Sequence, residues 1–346
     1  MTHSVDDRSE DYLWDRSGPP PTEIAELERR LGSLAFDPLT HPLSLQPKKS
    51  MRASPARQFL MWGALAASLL LAAMVWYYDW RLDWPTDRAW SVRSPEQSAN
   101  RTNSLVVGQS LAVAASTPAL IDVARLGTIH AAPGTQLTLT ATEAGRHRLS
   151  LTRGRVNVRL WAPPFTVAFQ TPAGDVIDLG CTFQLAVDPQ GVVLLSVETG
   201  WVQLENAQGQ SQIPAGASGT MQASDMPSVP VFDDASTQFI EAVRNLERRG
   251  GDGLSPSDLA ARLAQARPRD VLTLLTLARR QHGALRAQLV DQAAALAPPP
   301  ASVDLDRVRA DDDVGLGRWR DALPLPPVKG WWRNWRDGLP LLNSGK

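Results

Sequence analysis

RLSLTRGRVNVRLWAPPFTVAFQTPAGDVIDLGCTFQLAV, residues 148–187, decides the fold, because apolar side chains recur there at every second position. Period two places one set of side chains on one face of a strand, so the stretch reads as half-buried β-structure. The same pattern extends on both sides. QLTLTAT (Gln136 to Thr142), RHRLSLT (Arg146 to Thr152), RVNVRLW (Arg155 to Trp161), FTVAFQT (Phe165 to Thr171), TFQLAV (Thr182 to Val187), VVLLSV (Val192 to Val197) and WVQLE (Trp201 to Glu205) are strand-like runs. Turn residues separate them, among them Pro133-Gly134, Arg153-Gly154, Ala173-Gly174-Asp175, Gly191, Thr199-Gly200 and Asn206 to Gly209. Turns about 8 to 12 residues apart point to an all-β sandwich, roll or solenoid over residues 105–222.

The rest of the chain has other periods. Phe59 to Tyr78, FLMWGALAASLLLAAMVWYY, carries no ionisable side chain. Roughly 20 helical residues span about 30 Å, so residues 59–78 are expected to form a transmembrane helix in contact with lipid, with Trp76, Tyr77, Tyr78 and Trp80 at one interface. Lys48, Lys49, Arg52 and Arg57 before it, against Arg81, Arg88 and Arg93 after it, orient the N-terminus toward the cytoplasm. The remainder is then expected in the periplasm of a bacterial inner-membrane, single-pass protein.

Residues 1–58 form the expected cytoplasmic tail. After DYLWD and a Gly-Pro-Pro-Pro break, Ile24, Leu27, Leu31 and Leu34 recur at helical spacing among Glu23, Glu26, Glu28, Arg29 and Arg30. Such a helix is too small to bury its own stripe. It either lies on a membrane or orders on a partner protein, and Trp14 with the four apolar positions is the candidate contact set. Residues 79–104, polar and with Pro85 and Pro95, read as a stalk.

Past Pro230 helical spacing returns over residues 235–298. Phe239, Val243 and Leu246 share a stripe, Ser257 is placed to cap a helix with Leu259 and Leu263 inward, and Val271 to Arg280 and Leu285 to Leu296 follow. Residues 299–346 are a tail in which Trp319, Trp331, Trp332 and Trp335 alternate with arginines, expected to pack back on the ectodomain.

The 346 residues carry 35 basic and 36 acidic side chains, a net charge of −1, so no nucleic-acid footprint is visible. The one cysteine, Cys181, excludes a disulfide framework and a cysteine-rich zinc site. The five histidines lack metal-ligand spacing, and His147, between two arginines, is expected on an exposed strand edge. Asp311 to Asp313 lacks the glycine and alternation of a calcium loop and reads as a solvated acidic patch. Neither an enzyme nor a cofactor or metal site is expected.

The stretch quoted first, with LLSVETGWVQLE and IPAGA after it, resembles the FecR family of bacterial membrane regulators, which control sigma factors of the extracytoplasmic-function type. Pro164, Phe165, Val167, Leu179, Gly180 and Phe183, then Gly200 and Gly216, hold the places of that family's pattern. DYLWDRSGPPPTEIAELERRLGSL resembles the cytoplasmic head of one branch. The resemblance implies a FecR-like β-roll or β-solenoid with a C-terminal helical segment, an anti-sigma-type function, a sigma factor held by residues 1–58 and a periplasmic signalling partner. This chain departs from the pattern in having Cys181 where the family has threonine after Leu-Gly.

Cys181 has two readings. It is a buried structural thiol, the usual state of a free cysteine, or it attacks the Gly180 carbonyl in an N-to-S acyl shift that cleaves the backbone, a step analogous to one ascribed to the family's threonine. For the whole chain, the alternative to a sigma regulator is a structural or glycan-binding envelope protein with a passive β ectodomain.

Overall fold

The computed structural model describes residues 18–34, 55–94, 103–250 and 255–325. Two compact units divide it, Met1–Leu70 and Leu71–Lys346. In the first, α1 (Thr22–Leu31) runs into a single 3₁₀ turn, Gly32–Leu34, with Glu23 in its first turn and Arg29 and Arg30 in its last. That charge placement complements the helix dipole, and Arg30 bonds Glu26 one turn back at 2.9 Å. No residue of α1 is buried.

A second helix, α2 (Pro55–Leu82), begins in the first unit and ends in the second. It occupies the position of the expected transmembrane segment, and that expectation is corrected: among the described residues no helix is long and apolar enough to cross a membrane. Its uncharged run ends at Tyr78. Asp79 and Arg81 follow it, and the last turn is held by the β domain. Leu82 and Trp84 are buried there, while Arg125 donates to the Trp80 and Asp83 carbonyls, the latter at 2.9 Å, and stacks on the Trp80 ring.

Among the described residues fifteen strands make the β domain, arranged as two sheets that share β7 (Arg146–Leu160). The first half of β7 lies between β6 (Gln136–Glu143), which also pairs β3 (Ser110–Ala112), and β8 (Val167–Thr171). Beyond β8 come β9 (Gly174–Asp178), β12 (Trp201–Asn206) and β13 (Gly209–Pro214). The second half lies between β5 (Gly127–Ala131) and β10 (Thr182–Val187). Outward from β5 run β4 (Ala119–Val123), β1 (Trp90–Arg93) and β2 (Asn103–Leu105). Outward from β10 run β11 (Val193–Thr199), β14 (Ala217–Met221) and β15 (Val231–Phe232). Among the described residues only β7 and β8 pair in parallel. The fold is thus a mostly antiparallel roll rather than a solenoid of stacked parallel coils.

The change of sheet is written in the burial of β7. His147, Leu149 and Leu151 point inward, then Val156, Val158 and Leu160, so the alternation slips by one residue between Thr152 and Arg155. A register shift opposite Gln136 and Leu137 accommodates the extra residue as a bulge. Gly154 sits at the slip with φ +98°, where a Cβ would lie 2.5 Å from the Thr135 Cα. Thr135 closes the corner: its hydroxyl donates to the Arg155 carbonyl at 3.0 Å and accepts from the Arg155 amide at 3.1 Å.

Two further expectations are corrected here. Residues 79–104 are not only a stalk, since Leu82, Trp84, Trp90 and Val92 enter the β core and β1 pairs with β4. His147 is fully buried, because β7 sets it on the same face as Leu149 and Leu151. Its Nδ1 is 2.7 Å from the Thr142 hydroxyl, which also accepts from the Trp90 indole at 3.3 Å, and the imidazole meets the Trp90 ring edge-on at 5.7 Å.

The helical segment builds a second core. It comprises α3 (Thr237–Arg249), α4 (Pro256–Leu263), α5 (Val271–Ala278), α6 (Gly283–Leu296), α7 (Leu305–Arg309) and α8 (Asp313–Asp321). Phe239, Val243, Leu246, Leu259 and Leu263 are buried as their spacing predicts. Ser255, not Ser257, caps α4, accepting from the Asp258 amide at 3.1 Å, and Pro256 takes the first helical position. Trp319 is buried in this core, its indole donating to the Ala297 carbonyl at 3.2 Å; Trp331, Trp332 and Trp335 lie outside the described residues.

Asp311 to Asp313 is more than a solvated patch. Asp313 accepts from Arg286, a guanidinium only 1% exposed, at 3.0 Å, and Asp312 caps α8 by accepting from the Val314 and Gly315 amides. The Gly315 amide is the main reason the Asp312 carboxyl is held below its usual range. Leu323 packs on both cores, and Thr273 donates to the Pro230 carbonyl at 2.7 Å. Asp234, before α3, receives Arg267 at 2.8 Å and Arg269 at 3.2 Å, and Arg269 lies over the Phe232 ring.

Candidate functional site

Of the expected contact set, Trp14 lies outside the described residues. The other four lie on α1 and its 3₁₀ extension. Leu27, Leu31 and Leu34 are 53%, 51% and 79% exposed, and Ile24 is half-buried. One turn apart, they line one side of a ten-residue helix and its 3₁₀ turn, and no residue of that helix is buried. A helix of that length is marginal in water without packing, and its open stripe is chemically suited to an apolar groove on another protein.

The second candidate, Gly180 and Cys181, lies on the bend between β9 and β10. Gly180 has φ +93°, a conformation that a side chain would strain. Gly200 packs against it so closely that a Cβ there would lie 2.6 Å from the Gly180 oxygen. Cys181 is buried, and one oxygen of the fully buried Asp178 accepts from both its amide, at 2.9 Å, and its thiol, at 2.5 Å. The ends of the bend are fixed too: the Leu179 amide donates to the Trp201 carbonyl and the Leu160 amide to the Cys181 carbonyl, each at 3.1 Å.

This geometry serves both readings of the cysteine. A carboxylate three residues before a turn amide is an ordinary bend-forming device. The same carboxylate stands within reach to take up the thiol proton as the sulfur attacks, the position of a general base. Asp178 was not among the residues singled out from the sequence. The three-residue spacing of an aspartate before Gly-Cys is the signal that could have found it. Among the described residues no group of His, Cys, Asp and Glu is placed to hold a metal ion.

Comparison with known proteins adds little to this geometry. No family model matches the chain, and no curated protein matches it. Among solved structures, two crystal structures of a candidate anti-sigma factor from Parabacteroides distasonis are similar, each at 16% identity over 39% of this chain, with a TM-score of 0.32. The match spans 63% of the length of that protein.

Proposed function

We propose that the chain is a non-enzymatic regulator of the anti-sigma type, holding a sigma factor through residues 1–58. The observation that carries this reading is the open stripe of α1. Leu27, Leu31 and Leu34 stay exposed, no residue of the helix is buried, and the helix is too short to stand without a partner. The resemblance of DYLWDRSGPPPTEIAELERRLGSL to the head of sigma-regulating proteins supports a sigma factor as that partner. The roll and its helical core then form the input side. Leu27→Asp with Leu31→Asp in the full chain is expected to abolish co-purification with a co-expressed sigma factor while leaving the thermal transition of the roll unchanged. Capture of the sigma factor by the double variant at the level of the parent chain would refute the reading.

The contact of Asp178 with both the thiol and the amide of Cys181 favours a second, narrower proposal at the bend. In an acyl shift the sulfur bonds to the Gly180 carbonyl carbon, the Gly180–Cys181 C–N bond breaks, and the thiol proton passes to the freed amine. Water then splits the thioester into two chains. Asp178, within reach of both donors, is the group that would relay the proton. The purified chain is expected to resolve into two fragments on incubation, and Cys181→Ala to remain whole. An intact parent chain would leave Cys181 with its packing role alone.

A further inference from the structure

One cavity in the β domain, bordered on one side by Gly180, carries chemistry that neither proposal uses. It holds about 580 Å³ and opens where the ends of β5, β7, β10, β11 and β12 converge on the last turn of α2. Its lining carries two cations, Arg81 and Arg159, and no carboxylate. Thr128 and Thr182 add hydroxyls, and the backbone is bare at Gly127, Gly180 and Gly200. Sheet register fixes this assembly, because Arg159 stands opposite Thr128 on one neighbour and opposite Thr182 on the other.

The two arginines are differently held. Arg81 lies over the Trp161 ring at 4.1 Å and donates to the Tyr77 hydroxyl at 3.2 Å, which fixes its plane, while its buried Nε meets no acceptor among the described residues. An oxyanion entering the cleft would meet a guanidinium already held in plane, so little ordering is left for binding to supply. Arg159 is exposed and makes no ion pair among the described residues. Guanidinium groups bind carboxylate and phosphate by paired hydrogen bonds. Trp161, 43% exposed, leaves indole surface beside them for a ring.

We propose that this cleft binds a small ring compound carrying a carboxylate or a phosphate, with Arg81 and Arg159 on the anion and Trp161 against the ring. The site stands apart from the sigma-factor reading, and either can fail without the other. A ligand there touches the last turn of α2 through Arg81, so occupancy would be felt at that helix.

The test is tryptophan fluorescence and calorimetric titration of the full chain in a non-ionic detergent at low salt, using glucuronate, glucose 6-phosphate, glucose and inorganic phosphate. Saturable binding of glucuronate, glucose 6-phosphate or both is expected, at least tenfold tighter than glucose, and the preferred acid identifies which anion the cleft takes. Arg159→Gln, at an exposed position, is expected to weaken it tenfold or more with an unchanged circular dichroism spectrum, and Arg81→Gln to do likewise. No saturable binding of either acid, or equal affinity in both variants, would overturn the site. Glucose binding as tightly as the acids would remove the role of the arginines, and inorganic phosphate binding as tightly as glucose 6-phosphate would remove that of Trp161.

Discussion

At the scale of single residues, the corner of β7 rests on an absent side chain. Gly154→Ala places a Cβ 2.5 Å from the Thr135 Cα and forces alanine to φ +98°. Strain of this kind, with the backbone shift needed to relieve it, costs roughly 2 kcal/mol, expected as a lower urea midpoint with little change in slope. Arg153-Gly154 reads as a turn in the sequence, because glycine between two alternating runs ordinarily separates strands. The structure uses the same freedom to bend one strand between two sheets. His147 differs from its expected place for a related reason: flanking arginines suggest solvent, but alternation decides the face, and Thr142 bonds the buried ring at Nδ1 while Trp90 packs against its edge. Its two partners come from other strands, so no local pattern could show them.

At the scale of elements, helices in the second core were legible from spacing, while their ends depended on cap chemistry. Ser255 and Ser257 both stand near the start of α4, and Pro256 selects Ser255, since proline suits the first helical position. Ser255→Ala should therefore lower stability by about 1 kcal/mol and Ser257→Ala by far less, measured as the difference in thermal midpoints. Six strands of the roll, β6, β7, β8, β10, β11 and β12, are legible as period-two runs, although Arg146 to Thr152 and Arg155 to Trp161 form one strand, while β9, β13, β14 and β15 carry no such run. The short β1 to β5 were not read as strands, because three to five residues carry too little alternation to stand out among polar neighbours. The stripe of α1 was legible in full. What it docks on is no property of the helix itself.

At the scale of the molecule, the roll and the helical core are joined by varied contacts, among them Leu272 and Leu323, the Thr273 bond to Pro230 and the ion cluster at Asp234. Hydrogen bonding from Arg267, reinforced by the charges of Arg267 and Arg269, lowers the Asp234 pKa to about 2. An unfolded aspartate titrates near 3.9. A group whose pKa is lower in the folded state adds stability above its unfolded pKa, and that contribution fades as pH falls through the folded one. Between about pH 4 and pH 2 the parent chain should thus lose thermal stability more steeply than Asp234→Asn, the two curves converging at the acid end. Parallel curves across that window would show that the cluster contributes nothing to stability.

The shared strand has a consequence for cooperativity. β7 hydrogen-bonds to β6 and β8 through one half and to β5 and β10 through the other. Fraying can begin at β2, β3, β13 or β15, where neighbours end, but neither sheet can detach without stripping a strand that the other still holds. Melting of the roll is thereby confined to one all-or-none event, and partial openings are left to its borders.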